Sequence, residues 1–241
     1  MTVKLTADRT WLDEENRDYP VKIDPSFETG QEWGAVDSTY IASDMPDTSF
    51  GLGGSYYEGS MYVGKENGRG KTRALVRLRE LPSLSAGDQI VNAHMNLYNN
   101  AASNDLTVYV HEVTKDWDQS TVCWNSNITY DPTVVDYLHA SFNTYGNHTW
   151  DITTLMRKWY AGENNYGLIM ESPSENMNNS SRVWYLSSNF PTSADVRPAF
   201  QITYRNQKGM EDIWSYTGVE SGRSGSALVN NFNGNLVVTQ P

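Results

Sequence analysis

From Asp37 onward, apolar and polar side chains alternate in short runs separated by clusters of Gly, Asn, Asp, Ser and Pro. This is the pattern of half-buried strands joined by turns. In Thr72 to Arg79, Ala74, Val76 and Leu78 fall on one side, and Arg73, Arg77 and Arg79 on the other. Val91 to Tyr98 repeats the device, with Ala93, Met95 and Leu97 inward and His94, Asn96 and Tyr98 outward. Leu106 to Val110 does so through Leu106, Val108 and Val110, and further strands are predicted at Tyr166 to Glu171, Arg182 to Ser187 and Ala199 to Tyr204. A helical period occurs from about Ile152 to Tyr160, where Ile152, Leu155, Met156, Trp159 and Tyr160 share a face and Gly162 supplies a stop. Many strands, one helix and no βαβ alternation predict an all-β fold, an antiparallel β-sandwich with one short helix plugging an end.

The flanks read differently. Residues 1–34 form a lead-in, with Val3 to Thr6 as a candidate strand, an acidic run Asp13-Glu14-Glu15, and a short alternating segment bracketed by Pro20 and Pro25 that suits an edge or connector. The sandwich is expected over residues 35–204. Beyond Tyr204 the chain turns to Gly, Ser and Asn, and Asn233-Gly234 between apolar residues signals a hairpin. Residues 205–241 therefore read as the start of a following region.

Charge narrows the partners. A formal net charge of −11 repels phosphate backbones and anionic lipid, which argues against nucleic acid, and no apolar run is long enough for membrane insertion. Cys123 is the single cysteine, so an intramolecular disulfide is excluded, and beside Trp124 it reads as a small buried hydrophobe. No nucleophile elbow or phosphate loop occurs in the chain. Asp116 and Asp118, or Glu171 and Glu175, are sequence-near carboxylates that do not by themselves indicate a glycosidase. His94 and His111 can share a side of adjacent strands, but two histidines fall short of a zinc site.

Fifteen Tyr and 8 Trp against 6 Phe give most aromatic rings a polar handle, which suits both sheet faces and sugar stacking. The ligand-binding candidates are Tyr56, Tyr57, Tyr98, Tyr109, Trp184 and Tyr185, accompanied by Arg73, Arg77 and Asn96. Arg73, Arg77 and Arg79 read first as cross-strand partners for Asp and Glu and second as a recognition surface for an acidic polysaccharide. Asp37, Asp44 and Asp47, with the loop to Gly51, supply hard oxygen ligands that could hold a structural Ca²⁺, or they cap turns.

An ordered series of short segments carries a resemblance. It runs Asp37-Ser38-Thr39-Tyr40-Ile41, Pro46-Asp47-Thr48, Phe50-Gly51, Tyr62-Val63-Gly64, Thr72 to Arg79 with Leu81-Pro82, and Gly87-Asp88-Gln89-Ile90. It continues through Leu97-Tyr98, Trp117, Thr121 to Asn125, Trp150 to Thr153, Trp159 with Gly162, and Asn165 to Leu168. Across residues 35–204 this resembles the DNRLRE family, also treated as a carbohydrate-binding module family, with Cys123 standing where that pattern usually has Thr. The flanks Tyr19 to Pro25, Trp214-Ser215-Tyr216 and Val229 to Leu236 resemble the surroundings of that domain in RHS/YD-repeat proteins of bacterial cell walls.

The resemblance implies a jelly-roll-like sandwich and an extracellular or wall-associated location. It implies a non-catalytic module that binds polysaccharide or cell-wall glycan, or else a structural spacer packed against adjacent domains of the same chain. It also assigns Trp117, Trp124, Trp150 and Trp159 to core packing.

Overall fold

The computed structural model describes residues 26–30, 32, 34–54, 59–84, 88–190, 193–206, 216–220, 226–231 and 236–239. The expected strand at Val3 to Thr6, the Pro20 to Pro25 segment, Tyr56, Tyr57 and the Asn233-Gly234 turn lie outside these residues.

Among the described residues, eleven antiparallel strands make up the main sheet system. In chain order they are β1 (Ser26–Thr29), β2 (Val36–Ala42), β3 (Ser60–Glu66), β4 (Gly70–Leu78), β5 (Asp88–Ala102) and β6 (Leu106–Glu112). They continue with β7 (Asp136–Ala140), β8 (Gly146–Asp151), β9 (Leu168–Glu171), β10 (Ser181–Leu186) and β11 (Ala199–Asn206). Hydrogen bonding follows the order β1-β11-β5-β10-β3-β4-β9-β6-β7, with β2 on the free edge of β4 and β8 on the free edge of β5. Neighbours that are distant in sequence, such as β4 with β9 and β5 with β10 and β11, give the jelly-roll-like sandwich its crossovers.

The inward set foreseen from alternation fills the space between the layers. Ala74, Val76, Leu78, Ala93, Met95, Leu97, Val108 and Val110 are buried there with Tyr40, Phe50, Trp150 and Phe200. Gly64 shows why one position admits no side chain: its φ is +116°, and a Cβ would lie 2.2 Å from the Ser181 carbonyl oxygen on β10.

Helix α1 (Thr153–Tyr160) buries Leu155, Met156 and Trp159, and Gly162 follows it in a left-handed conformation. Arg157 ties the helix to β5 by donating to the carbonyls of Ile90 and Val91 at 3.0 and 2.8 Å. A separate antiparallel sheet comprises β12 (Tyr216–Glu220), β13 (Ser226–Asn230) and β14 (Leu236–Thr239), with Val229 opposite Leu236.

One layer departs from the half-buried pattern, because all seven residues of β2 are buried. The segment following β6 crosses the outer face of β2, β4 and β9, and lays Val113, Trp117 and Val122 on Ile41, Leu75 and Ile169. Trp124, Ile128, Tyr130 and Tyr166 pack around this second apolar cluster. Its tryptophans thus cover an outer face, whereas Trp150 and Trp159 belong to the inner core.

Candidate functional site

Apolar side chains exposed singly are ordinary on a folded domain, whereas several exposed together mark a surface that is used. Among the described residues, the exposed aromatics are Tyr137 at 56%, Phe142 at 64% and Tyr145 at 62%, all within nine positions of β7 and the turn after it. Register sets Tyr137 opposite Tyr109 and His139 opposite Thr107 on the outer face of the β6–β7 ladder. The Tyr109 and Tyr137 rings meet edge to face at 6.1 Å, Tyr137 and His139 do so at 5.6 Å, and Thr107 Oγ1 lies 2.9 Å from His139 Nδ1. At about 3.3 Å of rise per strand residue, Tyr137 to Ala140 spans roughly 10 Å along β7.

A charged network flanks one side of this strip. Glu171 stands opposite Tyr109 across the β6–β9 ladder. Arg73 places Nε and Nη2 at 3.0 and 2.7 Å from the two Glu175 carboxylate oxygens, and its Nη2 lies 3.2 Å from Glu171. Burial works against the Arg73 charge, but the hydrogen bond and charge of Glu175 outweigh it and hold the guanidinium firmly protonated.

His111, buried beside them, has its Nδ1 at 3.1 and 3.2 Å from the carbonyls of Thr133 and Asp131. Its Nε2 lies 3.5 Å from Glu171, an ion-pair separation rather than a good hydrogen bond. All these neighbours are acceptors. Burial lowers the His111 pKa, but Glu171 and the two carbonyls raise it further, so the net shift is upward. Glu171 is held below the usual carboxylate range by His111, with Arg73 and the Tyr130 hydroxyl, which donates at 2.9 Å, adding to the effect against burial.

At the other end the strip runs into a groove of about 480 Å³ lined by Asn104, Asp105, Asn176, Met177, Asn178, Asn179 and Ser181. Asp105 joins groove to strip, since its Oδ1 accepts the Phe142 backbone N–H at 2.6 Å. The 3-10 turn Pro173–Asn176, capped by Ser172 Oγ on the Ser174 N–H at 3.2 Å, brings the asparagines to the rim.

The other sequence candidates are dispersed. Tyr98 lies on the opposite layer, facing outward with His94 and Asn96 across from Asn147, Thr149 and Asp151 of β8, and Thr149 donates to Asn96 at 2.7 Å. Trp184 is partly exposed and stacks on Tyr62 at 6.1 Å, whereas Tyr185, one residue on, points into the core and is fully buried. Tyr185 therefore cannot serve as a platform; the period of two that turns Trp184 outward turns it inward.

Arg77 is engaged by Asp37 at 2.8 Å, Asp116 at 2.6 Å and the Trp117 carbonyl at 2.9 Å, with its guanidinium over the Trp117 ring. Arg79 also reaches Asp37. Asp37, Asp44 and Asp47 do not converge: Asp37 carries the two arginines, Asp44 accepts from Ser43, and Asp47 accepts from Asn125. Among the described residues, no three His, Cys, Asp or Glu side chains come together as a metal site. His94 and His111 are not neighbours, because β5 and β6 do not pair. Cys123 is partly exposed rather than buried, and its N–H donates to Ser126 Oγ at 3.0 Å.

Tyr137, Phe142 and Tyr145 were absent from the sequence reading. The signal available was the alternation Tyr137-Leu138-His139-Ala140 followed by two more aromatics in a turn, where a ring has no core to fill.

The curated proteins with which the chain aligns are long. It is 24% identical over 214 residues to the tRNA nuclease WapA of Bacillus subtilis (strain 168), covering 85% of this chain and 9% of that protein. The tRNA3(Ser)-specific nuclease WapA of Bacillus spizizenii matches at the same identity and the same two coverages. The chain thus spans less than a tenth of the length of these relatives. The model of carbohydrate-binding module family 96 matches residues 31–195, more than half the chain and nearly all of the sandwich with its aromatic strip and groove, and the chain belongs to that family.

Proposed function

We propose that this chain is a non-catalytic carbohydrate-binding module that anchors a large extracellular bacterial protein to polysaccharide or cell wall through the Tyr109–Tyr137–His139 strip, with Phe142 and Tyr145 extending it. The carrying observation is that the exposed aromatics among the described residues are gathered on one edge of a family 96 module. Pyranose CH faces stack on rings while hydroxyls take hydrogen bonds from a polar rim, and Thr107, His139 and the asparagines supply that rim. The arginines proposed from sequence act as structural clamps in this reading, and the resemblance of the flanks supports a place ahead of a repeat region of RHS type. The test is binding of the whole chain to a glycan array and to bacterial wall preparations. Saturable binding that Tyr137→Ala with Phe142→Ala abolishes supports the proposal, and wild-type binding left unchanged by that pair refutes this site.

A second reading, a spacer packed against other domains, draws on the small share of the relatives that the chain covers. It predicts that the same exposed edge is protected from labelling in a longer protein and binds no glycan.

A further inference from the structure

We propose that Asn99 is a positioning residue for the Phe142–Tyr145 turn, and that protonation of His148 turns its amide over and releases the turn in acid; this rests on the glycan-binding reading above, in which Phe142 and Tyr145 extend the aromatic strip. Both rings are exposed, so the backbone of the turn sets where they point. Between them Asn143 takes the left-handed region at φ +57° and donates its N–H to the Ala102 carbonyl at 3.0 Å. The Thr144 hydroxyl closes the turn on the Ser141 carbonyl at 2.7 Å. From the interior, Asn99 Nδ2 donates to the Thr144 carbonyl at 2.8 Å. Asn99 is fully buried towards the end of β5, opposite Gly146 of β8, and opposite Tyr185 where β5 and β10 shift register.

The amide has two states. A carbonyl only accepts, so the Thr144 oxygen fixes Nδ2 towards it, and the second Nδ2 hydrogen faces His148 Nε2 at 3.5 Å. That nitrogen is therefore the bare one, and the imidazole proton sits on Nδ1, 2.9 Å from the Tyr185 hydroxyl. A proton added to Nε2 sets donor against donor. Asn99 Oδ1 is buried without a hydrogen-bond partner among the described residues, so turning the amide over gives Nε2–H an acceptor. The same turn presents Oδ1 to the Thr144 carbonyl, acceptor against acceptor, and the tether is lost. The groups that meet the imidazole are the Tyr185 hydroxyl from β10, the Asn99 amide from β5 and the Trp150 ring of β8 itself. Burial is what lowers the His148 pKa, so the ring takes up its proton as pH falls below the ordinary value near 6.5.

The experiment follows amide exchange of the whole chain by NMR at pH 7 and pH 4.5, with each rate divided by its intrinsic rate. The Asn143 N–H is the reporter, because its acceptor is a backbone carbonyl. In the wild type its protection falls at least about tenfold in acid, while amides at the centre of β5 stay within a factor of about two. His148→Gln, which takes up no proton, keeps that protection at both pH values. Asn99→Ala lowers it already at pH 7 and removes the pH difference. Sedimentation with purified bacterial cell walls then reads the consequence: between pH 7 and pH 4.5 the wild type weakens about tenfold more than His148→Gln. Unchanged Asn143 protection in acid, a loss shared by the whole sheet, or a loss that persists in His148→Gln each overturns the relay. Equal changes of wall affinity in the wild type and His148→Gln overturn its bearing on binding. Absence of wild-type wall binding at pH 7 overturns the glycan-binding reading instead, and the amide exchange still decides the relay.

Discussion

The Tyr185 hydroxyl and His148 Nδ1 meet at 2.9 Å inside the sandwich, where Tyr185 is fully buried. Burial raises the Tyr185 pKa far above its ordinary value and lowers that of His148, so both groups are neutral in the fold. Tyr185→Phe keeps the ring but leaves the imidazole nitrogen without that partner, and should cost about 1–2 kcal/mol in chemical denaturation.

His148 also sets an acid limit. Its folded pKa lies below the unfolded value near 6.5, so its contribution is fully present above that pH and is lost as pH falls through the depressed folded value. Denaturation midpoints measured from pH 7 to pH 4.5 should fall less steeply in His148→Gln than in the wild type.

His111 acts in the opposite sense. With its folded pKa raised, it stabilises fully below about pH 6.5, and that contribution is lost as pH rises through the folded value. Because it tethers the carbonyls of Asp131 and Thr133, its loss of charge should loosen the segment leading into β7. Hydrogen exchange of residues 130–135 should speed up from pH 6 to pH 8.5 in the wild type beyond the intrinsic base-catalysed increase, and show no such excess in His111→Asn.

Arg73 separates a structural from a ligand-binding role. Removing it leaves buried Glu175 with only Lys71 as a cation, at 4.0 Å, and half-buried Glu171 with only His111, at 3.5 Å, and Arg73→Met should destabilise by about 2–3 kcal/mol, under the ~3–5 kcal/mol of a fully buried broken pair. Glycan affinity, measured where the variant is still folded, should stay within a factor of about two, and a tenfold loss would return Arg73 to the binding surface.

The strand pattern was legible because alternation follows from backbone geometry, and Ala74, Met95 and Leu97 lie where it put them. Helix α1 was legible for the same kind of reason, with Gly162 stopping it as expected. The burial of Leu75 and Ile41 beneath Trp117 and Val122 was not, because it depends on a long irregular segment folding back over a face that local periodicity treats as open. The site was only partly legible. Tyr109 lies in the proposed strip, whereas Tyr185 is buried, since adjacent side chains on a strand point to opposite faces. Arg73 and Arg77 drew attention by charge, yet their carboxylate partners come from distant elements that sequence spacing does not bring together.

Asp47 provides a test for calcium. Its carboxylate accepts from Asn125 Nδ2 at 2.7 Å, bracing the loop after β2 against the segment around Trp124. Asp47→Ala should cost about 1 kcal/mol through that lost hydrogen bond. The Tm of the wild type should be the same in EDTA and in millimolar Ca²⁺, and a rise with Ca²⁺ that Asp47→Ala removes would establish a metal site there.

The central claim is that the edge of β7 and the turn after it form the glycan-binding surface. Its most direct test is the dissociation constant of Tyr137→Ala, measured by titration against the best ligand found for the wild type, with Tyr98→Ala on the opposite layer as the control. Loss of one stacking ring predicts a weakening of about tenfold or more, with Tyr98→Ala within a factor of about two and both variants as stable as the wild type. Undiminished affinity in Tyr137→Ala together with loss in Tyr98→Ala would contradict it and move the binding surface to the opposite face of the sandwich.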